Sequence, residues 1–298
     1  MTGLLRRWRS ARNPSVAALT IVRDEAVMLP RWLRYYGGQL GDDHLVVVDH
    51  GSTDGSTDDL PCRVIRNPEL KGPSFERARM RLLTRLAREL LERHDAVVFT
   101  DCDEFLLVDP DRYGGLREYV AATPDREVTG GLGFNLVHRA DREPDLRADL
   151  PVLGQRRYGM FVQRLCKPSL KRVDAKWRFA SHGIAVPYEP DPALLLVHLK
   201  YADAEHLRRV GDQRFAVREA AGLTPRSAWA MTGDDQVEAL AEVTAGPDDP
   251  PYFDAGSYDP AKLVRPRGGA WEAGGVREFE AMRRGPLLQL PEKYFGLV

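Results

Sequence analysis

The sequence predicts an α/β protein: an open, mixed but mainly parallel sheet flanked by helices, followed by a loop-rich C-terminal extension. Three observations carry that expectation. Short, nearly all-apolar runs such as VAALTIV and LVVV suit strands buried on both faces, the parallel-sheet condition. Helical periodicity alternates with them, which is the βα order of an open sheet. Acidic residues stand at the ends of these runs, where ligands meet such sheets.

In chain order, residues 16–22 form the first strand, with Asp24 and Glu25 behind it. Leu29, Trp32, Leu33 and Tyr36 then recur at helical spacing; Pro30 suits the first turn and Gly37-Gly38 suggests the stop. A second strand over 44–49 ends in Asp49, and GSTDGSTDD has turn chemistry. CRVIRN reads as a third strand. Residues 75–94 make a long helix with Leu82, Leu83, Leu86, Leu90 and Leu91 on one face. The fourth strand, 96–100, runs straight into Asp101. Further on, GGLGFNLVHR, 158–166, 171–173 and the apolar stretch 193–201 read as strands, the last carrying His198, and 204–221 as a helix. Pro, Gly and Asp dominate 244–275 and predict loops. The expected organisation is one domain over 14–225 and an extension over 226–298 with a terminal helix.

With 43 basic and 44 acidic side chains, the chain lacks the basic excess of a nucleic-acid binder. Cys62, Cys102 and Cys166 have no CxxC spacing, and an odd count fits a reducing, cytoplasmic setting. No run reaches the ~18 apolar residues of a membrane span. The segment MTGLLRRWRSAR is basic, with Leu4, Leu5 and Trp8. It is either a frayed tail or an arm that binds a partner or makes peripheral contact with the inner face of a membrane.

The chemistry concentrates in Thr100-Asp101-Cys102-Asp103-Glu104-Phe105. Two carboxylates one residue apart at a strand end can approach one hard cation, and Mg²⁺ or Mn²⁺ takes such oxygens together with substrate phosphates. VVVDHGSTDGSTDD ends a strand in Asp49, which can face a nucleobase or ribose, and its small residues leave room for a ligand.

These segments resemble family 2 glycosyltransferases. VVVDHGSTDGSTDD is similar to their VVDDGSTDGT stretch, with His50 where the second aspartate stands. ALTIVRDEAVMLPRWLRYY resembles the opening of their nucleotide-binding half, with Asp24 in place of asparagine. TDCDEF resembles the DxD motif in the DxDEF form of a bacterial subgroup close to family 92-type enzymes. The match spans roughly residues 16–110. It implies a GT-A fold, a nucleotide-sugar donor, expected to be UDP-linked, and Mn²⁺ or Mg²⁺. Val22, Arg23 and Glu25 would lie near the nucleoside and Asp49 on the base or ribose. Asp101 would face ribose and metal, and Asp103 the metal. KGPSFERAR takes the place of another nucleotide-side stretch, so Lys71 and Arg79 would offset phosphate charge. A late histidine often completes the metal site in such enzymes; His198 is the candidate and His182 its competitor, with the acceptor site as the alternative for His182. Lys176 and Trp177 lie just upstream; a tryptophan face suits a sugar ring, but core packing is the expected use.

An inverting hexosyltransferase needs a carboxylate base for the acceptor hydroxyl. Asp141 is favoured over Glu143 and Asp145, with Asp234 and Asp235 as a second set. The acceptor is expected to be a hydroxyl on a glycan, lipid-linked or small molecule. Two rival readings stand beside this one. A nucleotidyltransferase would call for a phosphate loop, and no GxxxxGK[ST] occurs. A degenerate relative serving as a carbohydrate-binding scaffold would tolerate Asp24 and His50.

Overall fold

The computed structural model describes residues 13–67, 75–220 and 231–298. The basic N-terminal arm, Lys71 and the expected boundary at 225/226 lie outside the described residues. β1 (Val16–Val22) leads through α1 (Met28–Leu40) to β2 (Leu45–Asp49) and β3 (Arg63–Arg66), then α2 (Phe75–Leu91), β4 (Ala96–Phe99) and β5 (Glu104–Val108). After α3 (Leu116–Ala122) come β6 (Val128–Val137), β7 (Tyr158–Phe161), β8 (Leu170–Lys171), β9 (Trp177–Arg178), β10 (Gly183–Ile184) and the long β11 (Glu189–Tyr201). α4 (Ala204–Ala220), α5 (Gly233–Thr244), β12 (Val264–Arg267), β13 (Ala270–Ala273), α6 (Glu278–Arg284) and β14 (Leu288–Gln289) follow.

The architecture is mixed α/β, as the alternation of patterns requires. β3, β2, β1 and β4 are adjacent and parallel, so the order reverses between β1 and β4. Beyond β4 the sheet continues through β8, β6, β7 and β14 with antiparallel pairing. β11 runs parallel to β6 and antiparallel to β5. This register sets His198 opposite both Glu104 and Asn135.

α1 holds its sequence-predicted face against the sheet: Leu29, Trp32 and Tyr36 are fully buried. The helix does not stop at Gly37-Gly38 but runs to Leu40 and ends at Gly41, whose φ of 85° is the left-handed conformation glycine adopts freely. Gly37 serves packing instead, since a Cβ there would meet Asp42 Oδ1 at 2.5 Å. In α2, Leu82, Leu83, Leu86 and Leu90 are buried while Arg77, Arg81, Arg85 and Arg88 stay exposed.

The segment expected to be loops also builds structure. β12 and β13 form a hairpin turned by Gly268 and Gly269, both with positive φ, and join β10 and β9 in a second, antiparallel sheet. Glycines at both turn positions are what a tight hairpin needs, so the same residues that suggest a loop are hairpin chemistry. β14 extends the main sheet along β7. Among the described residues no helix is long and apolar enough to cross a membrane, and the three cysteines are free thiols.

Candidate functional site

Ligands of open α/β sheets bind outside the carboxyl ends of the strands where the order reverses. A cleft of about 310 Å³ opens there. Val22, Arg23 and Glu25 line it from the end of β1, Asp101 and Asp103 from the turn between β4 and β5. His198 enters from β11, and Glu278 from the start of α6.

The acidic turn is held from behind by α1. Trp32 Nε1 donates to Thr100 Oγ1 at 3.1 Å, just before the turn. Leu106 N–H donates to Tyr36 Oη at 2.9 Å, just after it. Trp32 and Tyr36 are four residues apart, so one helical face reaches both flanks. This fixes the backbone from which the carboxylates project.

The two aspartates face different partners. Asp101 Oδ1 accepts from Arg79 Nη2 and Oδ2 from Lys167 Nζ, the latter at 3.2 Å. Burial works to raise the Asp101 pKa, but Arg79 and Lys167 override it and hold the carboxyl well below its ordinary range. Lys167 also donates to Glu104, so one buried ammonium serves two carboxylates. Burial opposes that charge, yet Glu104 and Asp101 keep Lys167 protonated. Its position depends on Gly130 in β6: a Cβ there would fall 1.7 Å from the Lys167 carbonyl oxygen. The glycine therefore lets the Lys167 backbone lie against the strand.

Asp103 turns the other way. His198 Nε2 stands 3.2 Å from Asp103 Oδ2. Across the ring, Nδ1 lies 3.0 Å from Glu278 Oε1 and 2.9 Å from Asn135 Oδ1. Burial disfavours an imidazolium, but Asp103 and Glu278 outweigh it and push the His198 pKa up to about 10. The ring is therefore an imidazolium that donates from Nε2 to Asp103 and from Nδ1 toward Glu278 and Asn135. A cation bound at Nε2 would displace the proton there, while Glu278 and Asn135 hold Nδ1–H, as a carboxylate does behind a ligating histidine. Among the described residues no group of three or more His, Cys, Asp or Glu forms a ready cage. A hard cation here could share Asp103 and His198 with oxygens of a bound diphosphate and water.

The other sequence-predicted residues divide clearly. His182 lines the cleft, but burial first and then Lys167 lower its pKa to about 3, so it stays neutral there. Its Nδ1 lies 2.8 Å from the Arg164 carbonyl. Asp49 is buried within its own loop: it accepts from Ser52 N–H at 2.8 Å, Thr57 Oγ1 at 3.0 Å and Arg66 at 2.7 Å, and does not line the cleft. Asp24, at φ 54°, accepts from Thr53 N–H at 2.7 Å and staples the loops after β1 and β2 together.

Asp141, expected as the base, lies outside the cleft on an exposed turn, paired with Arg139 and Arg142. Glu143 is buried and accepts from the backbone of Arg139 and Arg157. Asp235 closes a capping box on α5, and Asp234 pairs with Arg208. Lys167, Asn135 and Glu278 were not legible as site residues. Only Glu104, adjoining the motif, carried a local signal.

The fold and cleft define an α/β protein with a polar ligand site at the reversal point of a parallel sheet. No family model matches the chain, and no curated protein does. Among solved structures, a mannosyltransferase from Pyrobaculum calidifontis in complex with GDP-mannose and Mn²⁺ aligns with TM-score 0.36 and 17% identity, over 81% of this chain and 77% of its own. A mycobacterial protein aligns with TM-score 0.32 and 13% identity, over 73% and 78%. These are distant likenesses.

Proposed function

We propose that the chain is a metal-dependent glycosyltransferase that moves a sugar from a nucleotide donor, UDP-linked in the first instance, to a hydroxyl acceptor. The observation that carries the reading is the Asp103–His198–Glu278 chain at the carboxyl end of the sheet. A cation that displaces the Nε2 proton would take one carboxylate and one oriented imidazole and leave its remaining positions to a diphosphate. Bound there, Mn²⁺ or Mg²⁺ would act as a Lewis acid toward the charge developing on the departing diphosphate.

The chain's own residues do the rest. Arg79 and Lys167 neutralise Asp101, so the floor of the cleft does not repel a phosphate. The acceptor oxygen bonds to the anomeric carbon as the bond to the diphosphate oxygen breaks. The nucleoside diphosphate leaves with that electron pair, and the hydroxyl proton passes to a carboxylate.

Glu25 takes that role in place of Asp141. Four other carboxylates line the cleft, and each has a side-chain partner: Asp101, Asp103, Glu104 and Glu278. Glu25 lines it with no side-chain hydrogen bond among the described residues, and burial together with Asp103 raises its pKa to about 7. A carboxyl so poised in a cleft suits acid–base work.

The test is calorimetry of UDP and GDP, each with and without Mn²⁺, on wild type and Asp103→Asn. Wild type should bind one nucleotide in a Mn²⁺-dependent way, and the variant should lose that dependence. Equal Mn²⁺-dependent binding by both proteins sinks the assignment.

A further inference from the structure

A second cavity, of about 710 Å³, lies between α2 and the β9 edge of the small sheet. One wall is the exposed face of α2, with Arg77, Arg81, Arg85 and Arg88. The facing wall carries Lys176 and Arg178. Between them lie the nearly buried Met80 and Trp177 and the half-buried Phe179. Six cations thus line one groove of a chain whose net charge is −1. Glu76 is the one acidic residue in the lining.

The charges are largely unspent. Arg88 pairs with Asp174 at 2.7 Å, and Arg85 lies 3.8 Å from Glu89. Arg77, Arg81, Lys176 and Arg178 have no ion pair among the described residues, although all four are exposed. At a rise of ~1.5 Å per residue, Arg77, Arg81 and Arg85 stand ~6 Å apart along the helix. A low-dielectric groove lined by one sign of charge focuses its field on an anion.

One turn and one helix contribute to both the groove and the cleft. Phe179 and Ala180 line the groove, and His182, at the end of the same turn, lines the cleft. Phe179, Ala180 and Ser181 all have positive φ, so this turn is a built corner between the two spaces. On the other side, α2 sends Arg81 into the groove and Arg79 to Asp101.

We propose that this groove binds an acidic oligosaccharide, with carboxylates or phosphates on successive sugars, and presents its end to the cleft as acceptor. The acceptor role rests on the transferase reading; the binding does not. Regularly spaced cations match a polymer with one charge per unit. A concave site between two walls fits a chain better than a flat membrane.

The probe is tetragalacturonate, titrated into the full chain by calorimetry at low and high salt, with maltotetraose as the neutral control. Tetragalacturonate should bind at least tenfold tighter than maltotetraose and weaken with salt. Arg77→Glu/Arg81→Glu and, separately, Lys176→Glu/Arg178→Glu should each weaken it at least tenfold, with thermal midpoint and circular dichroism confirming the fold. No binding, or binding unchanged in both variants, overturns the proposal. Capture of phosphatidylglycerol vesicles by a protein that ignores tetragalacturonate also overturns it, in favour of a membrane surface. Mn²⁺-dependent nucleotide binding is read on the same samples. Its absence alongside groove binding retires the transferase reading only, and its presence without groove binding retires the groove only.

Discussion

Lys167→Met probes the electrostatic frame of the cleft. Lys167 is 5% exposed and Glu104 2%, and the ammonium donates to Glu104 and to Asp101. Removing it leaves Asp101 with Arg79, but Glu104 keeps only the Asp101 N–H at 3.3 Å. Breaking a buried ion pair by deleting one partner costs about 3–5 kcal/mol, because the remaining charge is uncompensated. At ~2–4 °C per kcal/mol for a chain of this class, the melting temperature should fall by roughly 6–20 °C. Adding Glu104→Gln removes the stranded charge, so Lys167→Met/Glu104→Gln should recover more than half of the loss. Acidification should also reduce it. With the ammonium gone, burial raises the folded-state pKa of Glu104. Its penalty is then full above that pKa and fades as pH falls toward the unfolded value of about 4.3. Scanning calorimetry on the four proteins of the cycle, at pH 8 and pH 5, measures both effects. A single variant within about 1 kcal/mol of wild type at pH 8, or a double variant no better than the single, refutes the reasoning.

Glu278→Gln keeps an acceptor near His198 Nδ1 but removes the charge; Mn²⁺ affinity in the presence of nucleotide should drop about 10–100-fold by electron paramagnetic resonance, and an unchanged affinity would separate Glu278 from the site. Glu25→Gln should cut turnover by about 10²–10⁴ while nucleotide binding persists, and undiminished turnover returns the base to another residue. Lys171 is fully buried, its Nζ 2.8 Å from the Ala175 carbonyl and 3.9 Å from the Trp177 ring centre. Burial lowers its pKa from 10.5 to about 8. Because this base is harder to charge when folded, the cost is present below pH 8 and lost as pH rises toward 10.5. Wild type should therefore gain up to about 3 kcal/mol over Lys171→Met between pH 7 and pH 10 in denaturant titrations, and a pH-independent difference contradicts the shift.

The sequence by itself determined the parallel half of the sheet. Strands buried on both faces and a helix with one apolar face are local patterns, readable wherever consecutive residues share one environment. It also located the cleft, because a carboxylate at a strand end is a local feature too: Asp101 and Asp103 both line it. The tertiary structure decided what each carboxylate does. Asp101 meets Lys167, 66 positions away, and His198 meets Glu278, 80 positions away. Asp49 satisfies its own loop instead of facing the cleft, and Asp141 is drawn to Arg139 and Arg142. The Lys167 and Glu278 pairings leave no periodicity, since a contact between distant segments depends on how the chain is folded. Here it is the register of β11, set against β5 and β6 at once, that carries His198 to Asp103.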